Sequence, residues 1–236
     1  MVKVLYDSIR RMNLDIVKVD NGIYNVCVIK DDEYIGRSII HGQEWDRWMR
    51  REVRTHHKPG TDILDIGANI GYNTLIFSDY GPVIAFEPVF HQIVKLNIDG
   101  NDLRHDVQVA QCALSDVKEV REMNIPAHGC ESNTHINYGG TTLHAKGDWK
   151  GAGVNVNCER LDDIYHGTPS FIKLDVEGHE LQVLKGAEET IKKHKPVLLV
   201  EIGNFSEDHE VHRFIKELGY NDPIEKPELM YMYTTI

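Results

Sequence analysis

Residues 61 to 73 read Thr61-Asp-Ile-Leu-Asp-Ile-Gly-Ala-Asn-Ile-Gly-Tyr-Asn73, and this stretch decides the fold. Its apolar residues Ile63, Leu64 and Ile66 form the short run expected of a buried parallel strand. Gly67 and Gly71 follow around Asn69, and Leu75, Ile76 and Phe77 then begin a helical apolar face. Strand, glycine turn and helix in that order predict an α/β unit whose ligand crevice lies beyond the carboxyl ends of the strands. The glycines let the turn's backbone approach a ligand closely.

Charge narrows the ligand. A dinucleotide fingerprint has three glycines and seats a pyrophosphate on the helix N-terminus; here two glycines follow a carboxylate, Asp65, which repels phosphate. Asp65 suits a cation or an amino-acid ammonium, and S-adenosylmethionine offers a sulfonium and an α-amino group without phosphate. The next apolar run, Val83-Ile-Ala-Phe86, ends at Glu87, where an acidic residue takes up ribose hydroxyls in two-strand nucleotide sites. An ordinary α/β turn with a solvated acid at each strand end is the plainer alternative; Glu87 in register favours the cofactor.

With 236 residues and no stretch that reads as a linker, the chain fits one large domain. Within it, residues 1–58 form an N-terminal hairpin and helix packed on a core of residues 59–236. A hydrophobic content of 41% with 27% charged residues is that of a soluble globule, and no apolar run approaches the ~18 residues of a membrane helix. The first residues carry no signal-peptide pattern, so a cytoplasmic location without membrane partners is expected. A net charge of -11 argues against nucleic acid, whose phosphates need clustered Lys and Arg. Cys27, Cys112, Cys130 and Cys158 stand far apart and read as reduced, mostly buried thiols.

Working outward from the glycine turn, Ile23 to Ile29 alternates as a strand, Asp31-Asp-Glu33 breaks it, and Tyr34 to Ile40 resumes it as a hairpin. Trp45, Trp48, Met49 and Val53 share a helical face that ends at Pro59-Gly60, and the tryptophans read as core. Downstream, strands are expected over Val107 to Leu114, Ser170 to Asp175 and Pro196 to Asn204, and a last one in the tail from Leu229, plausibly antiparallel. A polar stretch from His128 to Gly153 is long enough to be functional, while its histidines His128, His135 and His144 lack metal-ligand spacing and read as solvated. Acids recur at the strand ends: Asp65, Glu87, Asp116, Asp175 and Glu201. In a parallel sheet these ends share one edge, so five carboxylates are expected to converge on one crevice.

These residues also carry a resemblance. Asp-Ile-Gly-Ala-Asn-Ile-Gly-Tyr (65 to 72), Ala-Phe-Glu-Pro (85 to 88), Ala-Leu-Ser-Asp (113 to 116), Ile-Lys-Leu-Asp-Val-Glu-Gly-His-Glu (172 to 180), Val-Leu-Lys-Gly-Ala (183 to 187) and Val-Glu-Ile (200 to 202) together resemble the FkbM family of S-adenosylmethionine-dependent methyltransferases. The resemblance covers about Glu44 to Gly219. It implies a class I methyltransferase fold, Rossmann-like, with a mostly parallel seven-stranded sheet, helices on both faces and a C-terminal antiparallel hairpin. It also implies O-methylation, most often of a sugar or glycan hydroxyl. Asp65, Gly67, Asn69 and Gly71 then correspond to the cofactor turn, Glu87 to the ribose carboxylate and Asp116 to an adenine-side contact. Asp175, Glu177 and His179 form the signature beside the reacting centre, and His179 stands where the family often has a small residue. A natural-product acceptor is the alternative substrate, and a nucleotide-dependent dehydrogenase a third reading that the absent third glycine disfavours.

The chemistry leaves a choice open. A hydroxyl near the ~15.7 of bulk water faces a histidine near ~6.5, so full prior deprotonation by histidine would cost about 12 kcal/mol. Either the proton leaves in concert with methyl transfer, or a cation lowers the hydroxyl's pKa. Asp175, Glu201 and Asn204 offer three oxygen ligands for Mg²⁺ or Mn²⁺. Alternatively Glu177 or His179 is the base and no metal is used.

Overall fold

The computed structural model describes residues 14–126, 136–144 and 152–235. His128, His135 and Cys130, on which the sequence reading also touched, lie outside these residues. Strands β1 (Ile16–Asp20) and β2 (Asn25–Ile29) pair as an antiparallel hairpin. The stretch after it is not a strand but helix α1 (Ile35–Ile40). The Asp31-Asp-Glu33 interruption is in fact a helix start. The Asp32 carboxylate accepts from Gly36 N at 2.6 Å, and a Cβ at Gly36 would collide with the Ile29 carbonyl, so the chain can turn there only because that residue is glycine. Helix α2 (Met49–His56) begins later than its apolar spacing suggests, with Trp45 to Trp48 forming a turn before it.

Alternating β and α elements then build the central sheet: β3 (Asp62–Ile66), α3 (Tyr72–Ser78), β4 (Val83–Phe86), α4 (His91–Asp99) and β5 (Val107–Ala110). After β5 the chain leaves that sheet. β6 (Ala113–Leu114), β7 (Glu119–Ile125) and β8 (Ala152–Glu159) form a separate three-stranded sheet in the order β6-β8-β7. It returns through α5 (Leu161–Ile164) to β9 (Pro169–Leu174), α6 (Glu180–Gly186), α7 (Glu188–His194), β10 (Val197–Glu201), α8 (Glu210–Glu217), β11 (Ile224–Glu225) and β12 (Met230–Tyr233). The central sheet runs β11-β12-β10-β9-β3-β4-β5. β10, β9, β3, β4 and β5 are mutually parallel, and β12 is antiparallel to both β10 and β11.

All six residues of β9 are buried, as the middle of a sheet covered on both faces requires. Successive residues serve opposite layers. Ile63 and Phe171 pack with Leu75, Phe77 and Ile93 on one face, while Leu64, Ile172 and Leu174 pack with Val183, Leu198 and Ile215 on the other. Each such fully buried side chain contributes roughly 1.5–3 kcal/mol. The register sets the functional edge: Ile66 lies beside Phe86 of β4 and Leu174 of β9, so the next residues, Gly67, Glu87 and Asp175, emerge level with one another.

Candidate active site

A cavity of about 430 Å³ opens at this carboxyl edge. Its walls come from the glycine turn (Gly67 to Ile70), the ends of β4 and β9, the segment 137–143 and the turn before β12. The turn is shaped by left-handed backbone at Gly67, Asn69 and Gly71, with φ of 81°, 53° and 83°. At Gly67 a Cβ would collide with the Asp175 carbonyl oxygen, so the turn sits hard against the end of β9. Gly71 is needed for a different contact: a Cβ there would press on Val94 of α4, and its residue does not line the cavity.

Glu87 is the anchor of this edge. It is 6% exposed, and its carboxylate accepts from Asn69 N at 2.9 Å, Val89 N at 2.7 Å and Phe90 N at 2.9 Å. Burial raises its pKa to about 7, against the lowering effect of those three N–H groups. Glu87 therefore ties the glycine turn to the end of β4 while lining the cavity.

Asp65 lies beneath the cavity instead of facing it. It is fully buried, accepts from Thr74 Oγ1 at 2.5 Å and lies 3.7 Å from Lys173 Nζ. The expectation that its carboxylate meets a ligand ammonium is corrected accordingly: side chains alternate along a strand, and Asp65, one residue short of the strand end, points into a layer. Lys173, which the sequence reading passed over, does line the cavity. Its Nζ donates to Gly67 O at 2.9 Å and pairs with Asp175 Oδ2 at 3.1 Å. A lysine inside an otherwise apolar strand was the signal for it. Asp116 is the second correction. It follows β6, which belongs to the smaller sheet, and it does not line the cavity; Cys112, Ala113 and Leu114 do.

Asp175, Glu177 and Glu201 all line the cavity, and each brings a carboxylate oxygen within 4.8 Å of the others. Burial, then the charges of Asp175, Glu177 and Glu180, push Glu201 up to about 9, and it hydrogen-bonds to Asp175. Among the described residues, these three carboxylates are the group that could hold a divalent cation. Asn204 is exposed and outside the cavity lining, so Glu177 takes its place in the set. Chain direction explains the exchange: β10 ends at Glu201, and Asn204 already lies on the outward turn.

His179 lines the cavity, but both ring nitrogens are engaged, Nε2 with Ser115 Oγ at 3.0 Å and Nδ1 with His144 Nε2 at 3.0 Å. Ser115 Oγ in turn donates to Asp116 Oδ1 at 3.2 Å. Burial and the neighbouring His144 lower His179 to about 4. A neutral ring with both nitrogens used positions its neighbours and is poorly placed as a base. The expectation of a solvated His144 is corrected by the same pair. Next to it, Thr142 Oγ1 donates to Glu177 O at 2.8 Å, so residues 142–144 are bound to the turn that carries Glu177.

A largely parallel sheet with a glycine turn, a buried acid on the neighbouring strand and a carboxylate group at the third strand end makes this an α/β protein with a cavity at the carboxyl edge of its sheet. Residues 65–221 match the methyltransferase FkbM domain, and the chain belongs to that family of methyltransferases. It is 30% identical over 156 residues to methyltransferase sdnD of Sordaria araneosa, a match covering 54% of this chain and 60% of that protein's length. A crystal structure of a methyltransferase FkbM from Methylobacillus flagellatus is 20% identical, with a TM-score of 0.42, over 74% of this chain and 43% of that one.

Proposed function

We propose that the chain is an S-adenosylmethionine-dependent O-methyltransferase acting on a hydroxyl of a sugar or glycan. The observation that carries this reading is the convergence of the Gly67 to Ile70 turn, Glu87 and the Asp175, Glu177 and Glu201 carboxylates on one cavity. The lining fits such a cofactor. Glu87 is a fixed hydrogen-bond acceptor suited to ribose hydroxyls, and Phe86, Cys112, Leu114 and Met123 provide apolar surface for a flat base. The bound cofactor supplies an electrophilic methyl group on a sulfonium. The chain's own contribution is alignment: the Lys173 contacts and the Gly67 packing hold the turn against β9, so that an acceptor beside Asp175 and Glu177 is oriented for in-line attack.

Where no cation lowers the hydroxyl's pKa, its proton leaves to a carboxylate in concert with transfer. A carboxylate near ~4.3 is even further from ~15.7 than a histidine, so a free alkoxide is not formed first. Glu177 and Asp175 are the acceptors in reach of the cavity, since both nitrogens of His179 are engaged. Apolar cavity residues Trp45, Phe90 and Leu143 favour a second reading, a small natural-product acceptor.

Thermal-shift measurements with S-adenosylmethionine, S-adenosylhomocysteine and nicotinamide dinucleotides test the cofactor. Stabilisation by the first two alone is expected, and stabilisation by the dinucleotides alone would replace the reading with a dehydrogenase. Mass spectrometry of donor-dependent methylation across sugars, glycans and hydroxylated natural products then separates the acceptor classes.

A further inference from the structure

Asp46 and Glu228 line a part of the cavity to which the chemistry above assigns no task. They come from separate places, Asp46 from the turn before α2 and Glu228 from the turn entering β12. Asp46 Oδ2 accepts from Asn73 Nδ2, its Oδ1 is buried without a hydrogen-bond partner, and the two acids stand close enough that their charges act on each other. Burial and then the Asp46 charge raise Glu228 to about 7, and burial raises Asp46 as well. Asn73 completes this wall. It is 8% exposed and lines the cavity; its Nδ2 donates to Asp46 Oδ2 at 2.9 Å, while its Oδ1 is buried without a hydrogen-bond partner. A buried carbonyl left without a donor is costly until a ligand supplies one.

The wall therefore presents acceptors and negative charge. Lys173 is the one lysine or arginine among the described lining residues, and it is already held by Gly67 O and Asp175. An anionic acceptor would be repelled. A neutral hydroxyl would bring one donor and no charge, whereas an ammonium brings three donors and a full charge. Tyr34, Trp45 and Tyr72 line the same cavity, and aromatic rings favour a cation further.

Resting on the reading of the chain as a sugar-directed methyltransferase, we propose that Asp46, Glu228 and Asn73 form a subsite for an ammonium group of the acceptor. The substrate class is then an amino sugar with a free amine. The hydroxyl to be methylated lies toward Asp175 and Glu177, and the ammonium lies toward Asp46.

The test is calorimetric titration of the protein saturated with S-adenosylhomocysteine, in EDTA so that no metal contributes. The titrants are D-glucosamine, N-acetyl-D-glucosamine and D-glucose, which differ at one carbon. Glucosamine is expected to bind about tenfold or more tightly than the other two, the scale of a charge-assisted contact, and the Asp46→Asn/Glu228→Gln variant to lose that preference. Comparable binding of all three sugars, no binding of glucosamine, or a preference intact in the folded variant would overturn the proposal. A variant that loses S-adenosylhomocysteine instead would assign the wall to the cofactor's amino group, which also overturns it. Should the double variant fail to fold, Glu228→Gln alone gives the same comparison. Failure of the unaltered protein to bind S-adenosylhomocysteine is a distinct result, and it removes the underlying reading.

Discussion

Glu87 holds two positions at once, closing the glycine turn through Asn69 N and lining the cavity. Replacing it with alanine removes the acceptor proposed for ribose hydroxyls and frees three backbone donors, so S-adenosylmethionine affinity is expected to fall by about 1.5–3 kcal/mol. Calorimetry on Glu87→Ala, with circular dichroism as the folding control, checks this; unchanged affinity in a folded variant rejects the assignment. Asp65→Asn behaves differently, because its partners are Thr74 and Lys173 inside the protein. It is expected to lower stability more than affinity. Glu201 supplies a pH-dependent contrast. Its pKa rises from 4.5 to about 9, by burial first and neighbouring carboxylates next, so the folded state holds a proton that the unfolded state has released. Stability from this group is full below pH 4.5 and is lost as pH rises toward 9. Glu87, at about 7, adds its own loss at lower pH, and the thiols of Cys27, Cys112 and Cys158, also raised by burial, add theirs toward pH 9, so the difference between the protein and its Glu201→Gln variant over pH 7.5 to 9 reports Glu201. Glu201→Gln is expected to flatten the fall in Tm across that window by about 2–4 °C, the equivalent of roughly 1 kcal/mol in a domain this size. Parallel Tm slopes for the two proteins would contradict the shift.

At the scale of elements, two turns carry the site, and their glycines differ in kind. Gly67 combines a φ of 81° with backbone contact against Asp175 O, whereas Gly178 has a φ of 95° and open space around it. Gly178→Ala should therefore cost about 1–2 kcal/mol, the left-handed penalty alone, while Gly67→Ala must push β9 away and is expected to unfold the edge of the sheet. Urea denaturation of the two variants compares them, and equal losses would refute the distinction. What was legible beforehand follows the same division. β3, β4, β9 and β10 were readable because apolar runs end in an acid or a glycine, local patterns that survive folding. Asp116 was misplaced because the break after Ala110 is enforced by pairing with β8, about forty residues downstream, which local sequence does not encode. His144 was misread for a similar reason, since its partner is 35 residues away and only the fold brings them together. α1 was misread because Asp32 caps a helix in a stretch whose apolar residues fit either period. The histidine pair also makes a prediction. His144→Ala removes a contact between residues 142–144 and the N-terminus of α6, so backbone amides near Thr142 and Gly178 should exchange faster with solvent while those of β3 stay protected. Unchanged exchange there would show that the Thr142 contact alone holds the segment.

For the molecule as a whole, a net charge of -11 gathers part of its excess in one cavity, and a divalent cation is one way to offset it. Asp175, Glu177 and Glu201 have the oxygen chemistry of a Mg²⁺ or Mn²⁺ site, and Glu201 gives up its proton to join it. Metal binding would then release protons and weaken as pH falls, whereas a purely structural carboxyl pair keeps its proton and needs no ion. The two cases part on removal of metal. We propose that exhaustively chelated protein loses methyl transfer, that Mg²⁺ or Mn²⁺ restores it, and that neither restores it in Asp175→Asn or Glu201→Gln. The readout must separate metal from fold, so Tm is followed alongside the rate. A bound ion stabilises by mass action, and at about 100 times its Kd it adds roughly 2.7 kcal/mol, which a chelator abolishes in the unaltered protein and cannot change in the variants. Full activity after chelation with an unmoved Tm would sink the metal reading. Asp175 and Glu177 would then be left as carboxylates that take the hydroxyl proton directly, with Glu201 as the protonated partner that holds Asp175 in place.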